Sequence, residues 1–285
     1  MQMKGIIVAA GYGTRFLPIT KTIPKEMLPL INRPALDFIV EEMMEAGIRD
    51  ILIITHRKKK SLEDFFDRDP ELEGVFGAEK ALDKLAKIAP APVNVSFVRQ
   101  QVMRGTGDAL LLAESWVGNS PILVAYPDDI VFAEESLSLQ MRKKYEAYGK
   151  AVLATMEIAG DVSRYGVVAP SGKLDEQTVM VKGMIEKPAP GQEPSKMVSI
   201  GRYLFESDIF TKLKQRREIY QGGEFFLTDG IEELIKEEKV VAYNFEGQRL
   251  DTGKPEGYLE ATLEYAWRFP EYQEIIRRFA GEKIK

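Results

Sequence analysis

Short apolar runs alternate with amphipathic segments through the first half of the chain. This alternation is typical of βαβ units, whose strands form a sheet with helices on both faces. The predicted strands are Gly5–Ala9, Ile51–Thr55, Val93–Val98, Ile122–Ala125 and Ala151–Glu157. The predicted helices are Ala35–Ala46, Lys80–Lys87, Thr106–Glu114 and Ser136–Tyr148. The pattern predicts an α/β fold with a Rossmann-like mixed, mainly parallel sheet, and ligands at the carboxyl ends of its strands.

The pattern loosens after Glu157. Segments Tyr165–Ala169, Val179–Glu186 and Val198–Phe205 predict strands of a small antiparallel sheet, joined by turns rich in proline and glycine. The remaining predicted elements are helix Thr228–Glu238, strand Val240–Phe245 and the C-terminal helices Pro255–Phe269 and Pro270–Ala280. Because no repeat or flexible linker interrupts the pattern, we predict a single domain over 1–285.

Composition excludes several kinds of chemistry. The 285 residues include no cysteine and one histidine, His56, which excludes disulfides, zinc–thiolate sites, thiol nucleophiles and multi-histidine metal sites. A net charge of −5 argues against nucleic acid as a general partner. No apolar run could span a membrane, and the first strand begins too early for a signal peptide, so we expect a cytoplasmic protein. The basic run Lys58–Lys60 is expected to be the solvated end of a helix.

The first strand runs into a glycine-containing loop, with Gly11 and Gly13 followed by Arg15 and, ten residues later, Lys25. Glycines let backbone N–H groups close around an anion, and the two cations add fixed positive charge. The loop therefore predicts a triphosphate cradle, although its spacing matches neither the dinucleotide-binding nor the Walker pattern. The alternative is an ordinary glycine turn at the end of a strand.

This loop and the following sequence TKTIPKEMLPL, residues 20–30, together resemble the signature of the sugar-nucleotide pyrophosphorylases. The form is similar to that of the bacterial UTP–glucose-1-phosphate uridylyltransferases, and the resemblance runs from Met3 to about Tyr265. It implies that UTP and glucose 1-phosphate give UDP-glucose and pyrophosphate, with Mg²⁺ as cofactor and a homodimer or homotetramer as the assembly. Two alternatives are a thymidylyltransferase or other sugar-1-phosphate nucleotidyltransferase of the same fold, and a non-catalytic nucleotide-sensing paralogue.

The resemblance assigns roles in the nucleotide site. Arg15 and Lys25 are implied to be catalytic, and the implied nucleotide-binding residues are Ala10, Gly11, Gly13, Thr14, Glu26, Gln100 and Gly105. A glutamine carboxamide can accept from uracil N3–H and donate to O4. Because an amide can flip, Gln100 alone does not exclude cytosine, and the sequence does not name the neighbour that orients it. Asp108 stands where histidine is common in the subfamily, with an effect that the sequence leaves open.

Two aspartates, each at the end of a strand-like run, are candidates for a metal site. Asp128 follows the apolar run 122–125, and Asp251 follows Arg249-Leu250. Magnesium typically takes one or two carboxylates together with substrate phosphates and water. Spacing alone would favour turn aspartates, but the resemblance implies that Asp128 and Asp251 hold the metal. Asp129 is expected to be a turn or supporting residue.

The resemblance also implies a sugar site in the second half of the chain. Glu186 would accept from sugar hydroxyls and Lys187, also catalytic, would hold the sugar phosphate, while Gly166 and Gly201 would line the pocket. The single domain would then comprise a mainly nucleotide-binding part (1–157), a part with the sugar site and second metal ligand (158–254), and C-terminal helices (255–285) that are core or subunit contact.

Overall fold

A computed structural model of the chain describes residues 2–283. In the order of the chain, its strands are β1 Lys4–Val8, β2 Pro29–Leu30, β3 Arg33–Pro34, β4 Asp50–Thr55, β5 Asn94–Arg99, β6 Ile122–Ala125, β7 Asp129–Phe132, β8 Ala151–Glu157, β9 Gly166–Lys173, β10 Thr178–Glu186, β11 Met197–Phe205, β12 Val240–Asn244 and β13 Gln248–Asp251.

The α-helices are α1 Ala35–Glu45, α2 Lys60–Phe66, α3 Pro70–Glu79, α4 Leu82–Ile88, α5 Thr106–Leu111, α6 Glu114–Val117, α7 Leu137–Tyr148, α8 Asp208–Glu218, α9 Leu227–Lys236, α10 Pro255–Ala266 and α11 Pro270–Lys283. Three short 3-10 turns lie at Thr14–Phe16, Ile19–Lys21 and Lys25–Met27, between β1 and β2.

Nine strands form one mixed sheet in the order β5-β4-β1-β6-β11-β8-β12-β10-β9. Strands β5, β4, β1 and β6 pair in parallel, so their carboxyl ends lie at one edge, as the sequence predicted. Strand β11 then pairs antiparallel with both β6 and β8. The mixed α/β fold is therefore confirmed, with helices packed on both faces of the sheet.

The antiparallel strands of the second half are present, but β9, β10 and β11 belong to the main sheet and do not form a small sheet of their own. Eight of the nine residues of β11 are buried, as expected of a strand with neighbours on both sides and layers on both faces. The strands of the second half thus belong to the same sheet as those of the first half. A separate two-stranded sheet does exist, formed by β7 and β13.

Helices α2, α3 and α8 were not predicted. Helix α3 has no buried residue, so it carries no apolar stripe of the kind that periodicity detects. Helix α8 buries Ile209, Phe210 and Leu213 among many charged residues, which weakens its pattern. The predicted helix Thr106–Glu114 is broken into α5 and α6. Among residues 2–283, no helix combines the length and apolar character needed to cross a bilayer.

Candidate active site

The loops that follow β1, β4, β5 and β6 meet at the carboxyl edge of the sheet. Opposite them, β13 pairs antiparallel with β7 and places Asp251 directly across from Asp129. The N–H of Thr252 donates to the carbonyl of Asp128 at 2.8 Å and joins the two turns. The pairing thus brings together the two candidate metal ligands, Asp128 and Asp251, which are 123 positions apart in the sequence.

Gly253 explains how two carboxylates approach each other here. A Cβ at this position would lie 2.7 Å from Asp128 Oδ2 and 3.1 Å from Asp251 Oδ1, closer than side chains tolerate. The Gly253 N–H donates to Asp251 Oδ1 at 2.9 Å, which orients that side chain. Because glycine has no side chain, it leaves open the space toward which both carboxylates point.

The two predicted cations, Lys25 and Arg15, also lie at Asp128 and Gly253. Lys25 Nζ lies 2.6 Å from Asp128 Oδ2, and Arg15 Nη1 donates to the carbonyl of Gly253 at 3.3 Å. Burial lowers the pKa of Lys25, but the charges of Asp128 and Glu26 outweigh it, so the ammonium is held protonated. Burial likewise raises the pKa of Asp128, but Lys25 outweighs it and leaves the pKa below its ordinary value. Asp128 is thus an ionised carboxylate at neutral pH.

Asp129 has a different environment from its neighbour. Its carboxylate pairs with Arg249, whose Nη2 lies at 2.5 Å and whose Nη1 donates to the Tyr165 hydroxyl at 3.2 Å. Burial raises the pKa of Asp129 to about 7, against the lowering effect of Arg249. The pair with Arg249 ties the turn of Asp129 to β13, and the supporting role expected of Asp129 from the sequence stays a prediction.

A buried arginine that the sequence did not single out holds the Asp128 turn. Arg202 is fully buried in β11 and donates to the carbonyls of Tyr126 at 2.8 Å and Asp129 at 2.6 Å. Glu42 of α1 balances its charge through contacts of 3.1 and 3.3 Å. The guanidinium thus fixes the backbone on both sides of Asp128. Only the three-dimensional pairing of β11 with β6 shows this role.

The glycine loop lies beside these groups. Gly13 has φ of 66°, a conformation that favours glycine, and its carbonyl accepts from the Thr20 hydroxyl at 2.8 Å. Ala10 is buried at the end of the strand, whereas Gly11, Thr14 and Arg15 are exposed. The loop therefore presents backbone N–H groups and one guanidinium at the surface, as an anion cradle requires.

Glu26 and Lys59 form a buried ion pair beneath this loop. Lys59 Nζ lies 2.8 Å from both carboxylate oxygens of Glu26 and 2.6 Å from the carbonyl of Ala9. The basic run does lie at a helix end, since α2 begins at Lys60, but the expectation that it is solvated is wrong for Lys59, whose side chain is buried against the end of β1. The pair ties the segment after β4 to the 3-10 turn that carries Lys25.

Of the two predicted base-binding residues, Gln100 borders a second cavity of about 480 Å³ at the same edge, and Gly105 is not among its lining residues. Its lining residues are Tyr12, His56, Arg57, Lys58, Arg99, Gln100, Gln101 and Met103. Gln100 is almost fully buried and donates to the Gly105 carbonyl at 3.2 Å. Gly105 has φ of 108°, and a Cβ there would lie 2.2 Å from the carbonyl oxygen of Phe225. The protein's own packing therefore demands glycine at this position, a constraint that the sequence alone did not show.

The predicted sugar-binding residues line a cavity of about 300 Å³ that also contains both metal candidates. Gly166, Glu186, Lys187 and Gly201 all border it. Burial raises the pKa of Glu186, and the nearby Lys187 opposes the shift. Lys187 has φ of 48°, which is unusual for a residue with a side chain, and its ammonium lies 4.5 Å from the ring centre of Phe226. A Cβ on Gly201 would lie 2.6 Å from the Tyr126 ring, which accounts for glycine there.

Several residues of this cavity were not predicted from the sequence. They are Thr106, Tyr126, Arg164, Tyr165, Tyr203, Glu224, Phe226, Thr228 and Arg249. Six of them lie within two positions of a predicted site residue, whereas Glu224, Phe226 and Thr228 come from the segment at the start of α9, far in sequence from every predicted site residue. A local motif could not have identified those three.

The donor set suits a hard divalent cation. Asp128 and Asp251 supply two carboxylates, and magnesium commonly needs no more than that from the protein when phosphates supply other ligands. Among the described residues no group of three or more His, Asp or Glu side chains could hold a metal on its own. The space beside Gly253 and the two carboxylates aimed into it fit a cation that binds together with a phosphate substrate.

Comparisons with known proteins identify the family of the chain. Residues 4–267 match the family model described as nucleotidyl transferase. UTP–glucose-1-phosphate uridylyltransferases of Staphylococcus epidermidis and Staphylococcus saprophyticus are both 40% identical over 279 residues, 97% of this chain and 96% of each relative.

Two solved structures are similar over nearly their whole length. UDP-glucose pyrophosphorylase complexed with UDP-glucose has 39% identity and a TM-score of 0.83, covering 94% of this chain and 100% of that one. UTP-bound UGPase from Acinetobacter baumannii has 35% identity and a TM-score of 0.88, covering 99% and 100%. The chain therefore belongs to the nucleotidyl transferase family, and the two curated relatives named above, which match it over nearly their whole length, are UTP–glucose-1-phosphate uridylyltransferases.

Proposed function

We propose that this chain transfers the uridylyl group of UTP to glucose 1-phosphate and gives UDP-glucose and pyrophosphate. The observation that carries the proposal is the meeting of Asp128, Asp251, Lys25 and Arg15 at one edge of the sheet. Asp128, Asp251 and Arg15 also line the cavity of Glu186, the proposed sugar site, and the cavity of Gln100, the proposed base site, lies at the same edge. The identity and coverage of the uridylyltransferase relatives favour UTP over dTTP as the nucleotide.

The nucleotide half would bind UTP through the glycine loop. The backbone N–H groups of Gly11 to Thr14 would cradle the β- and γ-phosphates, and Ala10 would pack at the strand end below them. Lys25 and Arg15 would contact phosphate oxygens, with Arg15 neutralising the charge that builds on the departing pyrophosphate. Gln100 and Gly105 would hold the base. Glu26, paired with Lys59, would fix the position of the turn that carries Lys25.

The sugar half would bind and aim the nucleophile. Glu186 would accept from glucose hydroxyls, while Gly166 and Gly201 would let the ring lie close to the backbone. Lys187 would hold the phosphate of glucose 1-phosphate, and the aromatic ring of Phe226 limits where its ammonium can go. This arrangement would position the phosphate oxygen for attack, the main requirement of a reaction that needs little covalent help from the protein.

The chemical step would be a single in-line displacement. An oxygen of glucose 1-phosphate forms a bond to the α-phosphorus of UTP, and the bond from that phosphorus to the bridging oxygen breaks, so that pyrophosphate leaves with the electron pair. Asp128 and Asp251 would hold Mg²⁺, which when bound neutralises the reacting phosphates. With Lys25, Arg15 and Lys187 around the phosphates, the protein supplies positive charge where negative charge develops.

The chain's three parts would divide this work. Residues 1–157 would supply most of the nucleotide site, and residues 158–254 the sugar site and Asp251. The C-terminal helices, 255–285, would form a contact between copies in a homodimer or homotetramer. Supporting this, Leu259 on α10, Trp267 just after α10 and Phe279 on α11 are exposed, and no residue of α11 is buried between Pro270 and Lys283. The cytoplasmic location expected from the sequence stays a prediction.

A substrate panel tests the proposed reaction. Purified protein with Mg²⁺ would be given UTP, dTTP, CTP or ATP, each with glucose 1-phosphate or another hexose 1-phosphate, and pyrophosphate and nucleotide-sugar would both be measured. UDP-glucose and pyrophosphate in equal amounts is the expected result. Faster turnover with dTTP would make the chain a thymidylyltransferase, and no pyrophosphate from any pair would favour a non-catalytic role.

A further inference from the structure

The side-chain amide of Gln100 is held in one orientation by two acceptors. Its Nε2 donates to the Gly105 carbonyl at 3.2 Å and to Asp108 Oδ2 at 3.3 Å. A carbonyl and an ionised carboxylate can only accept, so the nitrogen of the amide has to face them. Both N–H groups of the amide are then used within the protein.

The oxygen of the same amide, Oε1, is the atom left for a ligand. Oε1 of Gln100 receives no hydrogen bond within residues 2–283, and Gln100 borders the cavity of about 480 Å³ described above, here called the base-side cavity. A carboxamide whose two N–H groups are engaged offers a ligand an acceptor only. The edge of a pyrimidine that meets it has to supply a donor.

Asp108 itself is anchored from a distant element. Arg217, in the last turn of α8, forms an ion pair with the Asp108 carboxylate, and its guanidinium lies 5.6 Å from the ring centre of Phe225. An arginine–carboxylate pair restricts the carboxylate more tightly than a hydrogen bond between neutral groups. Helix α8 thus reaches the base-side cavity through Asp108 and Gln100.

We infer that Asp108, held by Arg217, is the residue that orients Gln100 and thereby selects pyrimidines with an N3–H group, uracil and thymine, over cytosine. The inference rests on the proposed function, because it takes the base of the nucleotide substrate to lie against Gln100. Uracil N3–H donates to Oε1, whereas the N3 of cytosine is an acceptor and would face another acceptor. Asp108 acts as a positioning residue and needs no contact with the nucleotide.

The Asp108→Asn variant tests the role of Asp108. Asparagine keeps the shape but loses the charge and the pair with Arg217, and its own amide can present either a donor or an acceptor to Gln100. We expect the ratio of kcat/KM for UTP to that for CTP to fall about tenfold or more, because a site built for one hydrogen-bond pattern rejects the other strongly. The ratio for UTP to dTTP is expected to stay unchanged, since both bases carry N3–H.

Two further variants make the result decisive. Lys214→Gln, on the same helix, removes an exposed ion pair with Glu114 and serves as the matched control, with both ratios unchanged. Arg217→Gln leaves Asp108 in place without its anchor and is expected to lower the UTP-to-CTP ratio in the same direction but less. It also provides the test if Asp108→Asn does not fold.

The outcomes separate this inference from the proposed function. If wild-type protein releases no pyrophosphate with UTP and glucose 1-phosphate, the proposed function fails. If wild-type protein is active and favours UTP, but both variants at Asp108 and Arg217 lower UTP and CTP turnover by the same factor, Asp108 is only structural and the inference is overturned.

Discussion

The two halves of the site are built differently. In the nucleotide half, loops after parallel strands present backbone N–H groups and exposed cations such as Arg15. In the sugar half, side chains within or beside antiparallel strands face a cavity, and a buried network of Arg202, Glu42 and Arg249 holds the turns. Asp128 comes from the first half and Asp251 from the second, and they meet at Gly253. The proposed nucleotide half is therefore built largely from loops that are local in sequence. The proposed metal ligands and sugar site depend instead on pairing between segments that lie far apart in the chain.

The largest expected effect comes from replacing either of the two aspartates at which the halves meet. Asp128→Asn and Asp251→Asn should each lower kcat by roughly 10²–10³, as for other groups that stabilise charge in a transition state. Steady-state kinetics with Mg²⁺ and a thermal unfolding scan would check activity and folding together. Near-wild-type turnover in either folded variant would remove that aspartate from the metal site.

Replacing Arg15 by lysine tests whether the nucleotide half acts on the transition state. Arginine presents a planar fork to two phosphate oxygens, and lysine is a single flexible charge. We expect Arg15→Lys to lower kcat roughly tenfold to a thousandfold, with a smaller change in KM for UTP. Rates measured in both directions would show this. Full kcat with only a raised KM would mean that Arg15 recruits the nucleotide and does no more.

Gly253→Ala tests the junction without changing a charge. The added Cβ would lie 2.7 Å from Asp128 Oδ2, so the Asp128 carboxylate has to shift. A displacement of about 1 Å at a reacting centre can cost roughly 10² in rate, and we expect up to that loss in kcat. Gly172→Ala is the matched control, because its Cβ would meet nothing within 4 Å. Equal activity of the two variants would mean that the carboxylates do not act as a pair.

Glu186→Ala should affect only the sugar half. Loss of a charged hydrogen bond costs roughly 1.5–3 kcal/mol, or about 10–150-fold in apparent affinity for glucose 1-phosphate. UTP affinity, measured by calorimetry without the sugar, should be nearly unchanged. If UTP affinity falls as much as sugar affinity, the division into two halves is wrong.

The smallest effect concerns pH. Burial raises the pKa of Glu186, and the ionised form is the one that accepts from sugar hydroxyls. The KM for glucose 1-phosphate should therefore fall as pH rises through this raised pKa. The Glu186→Gln variant should not show this decrease of KM with pH. Asp129, with a pKa of about 7, contributes a separate pH dependence that the glutamine variant retains. An identical dependence of KM on pH in wild type and Glu186→Gln would mean that another group causes it.

The sequence predicted most of what depends on short stretches of chain. The parallel strands, the loop at Gly11, the cations Arg15 and Lys25, and the position of Asp128 after a buried strand all follow from local pattern. The resemblance to a family supplied Asp251 and the sugar-side residues. The structure brings Arg15, Asp128, Asp251 and the sugar-side residues to one cavity, with Lys25 paired to Asp128.

What the sequence missed depends on contacts between distant segments. Arg202 is one arginine among many in the sequence, and only its burial between the Asp128 turn and Glu42 shows its role. Lys59 was placed in solvent because a run of lysines usually is, yet it is buried on Glu26. The effect of Asp108 could not be argued because its partners, Gln100 and Arg217, are 8 and 109 positions away.

Asp128 and Asp251, brought together from the two halves, are proposed to bind one divalent cation. Electron paramagnetic resonance of Mn²⁺, titrated against protein in the presence of UDP-glucose, measures this binding without turnover. We expect one bound Mn²⁺ per chain in the wild type, and at least about tenfold weaker binding in Asp128→Asn and in Asp251→Asn alike. Wild-type Mn²⁺ affinity in either variant would show that the two aspartates do not share a cation.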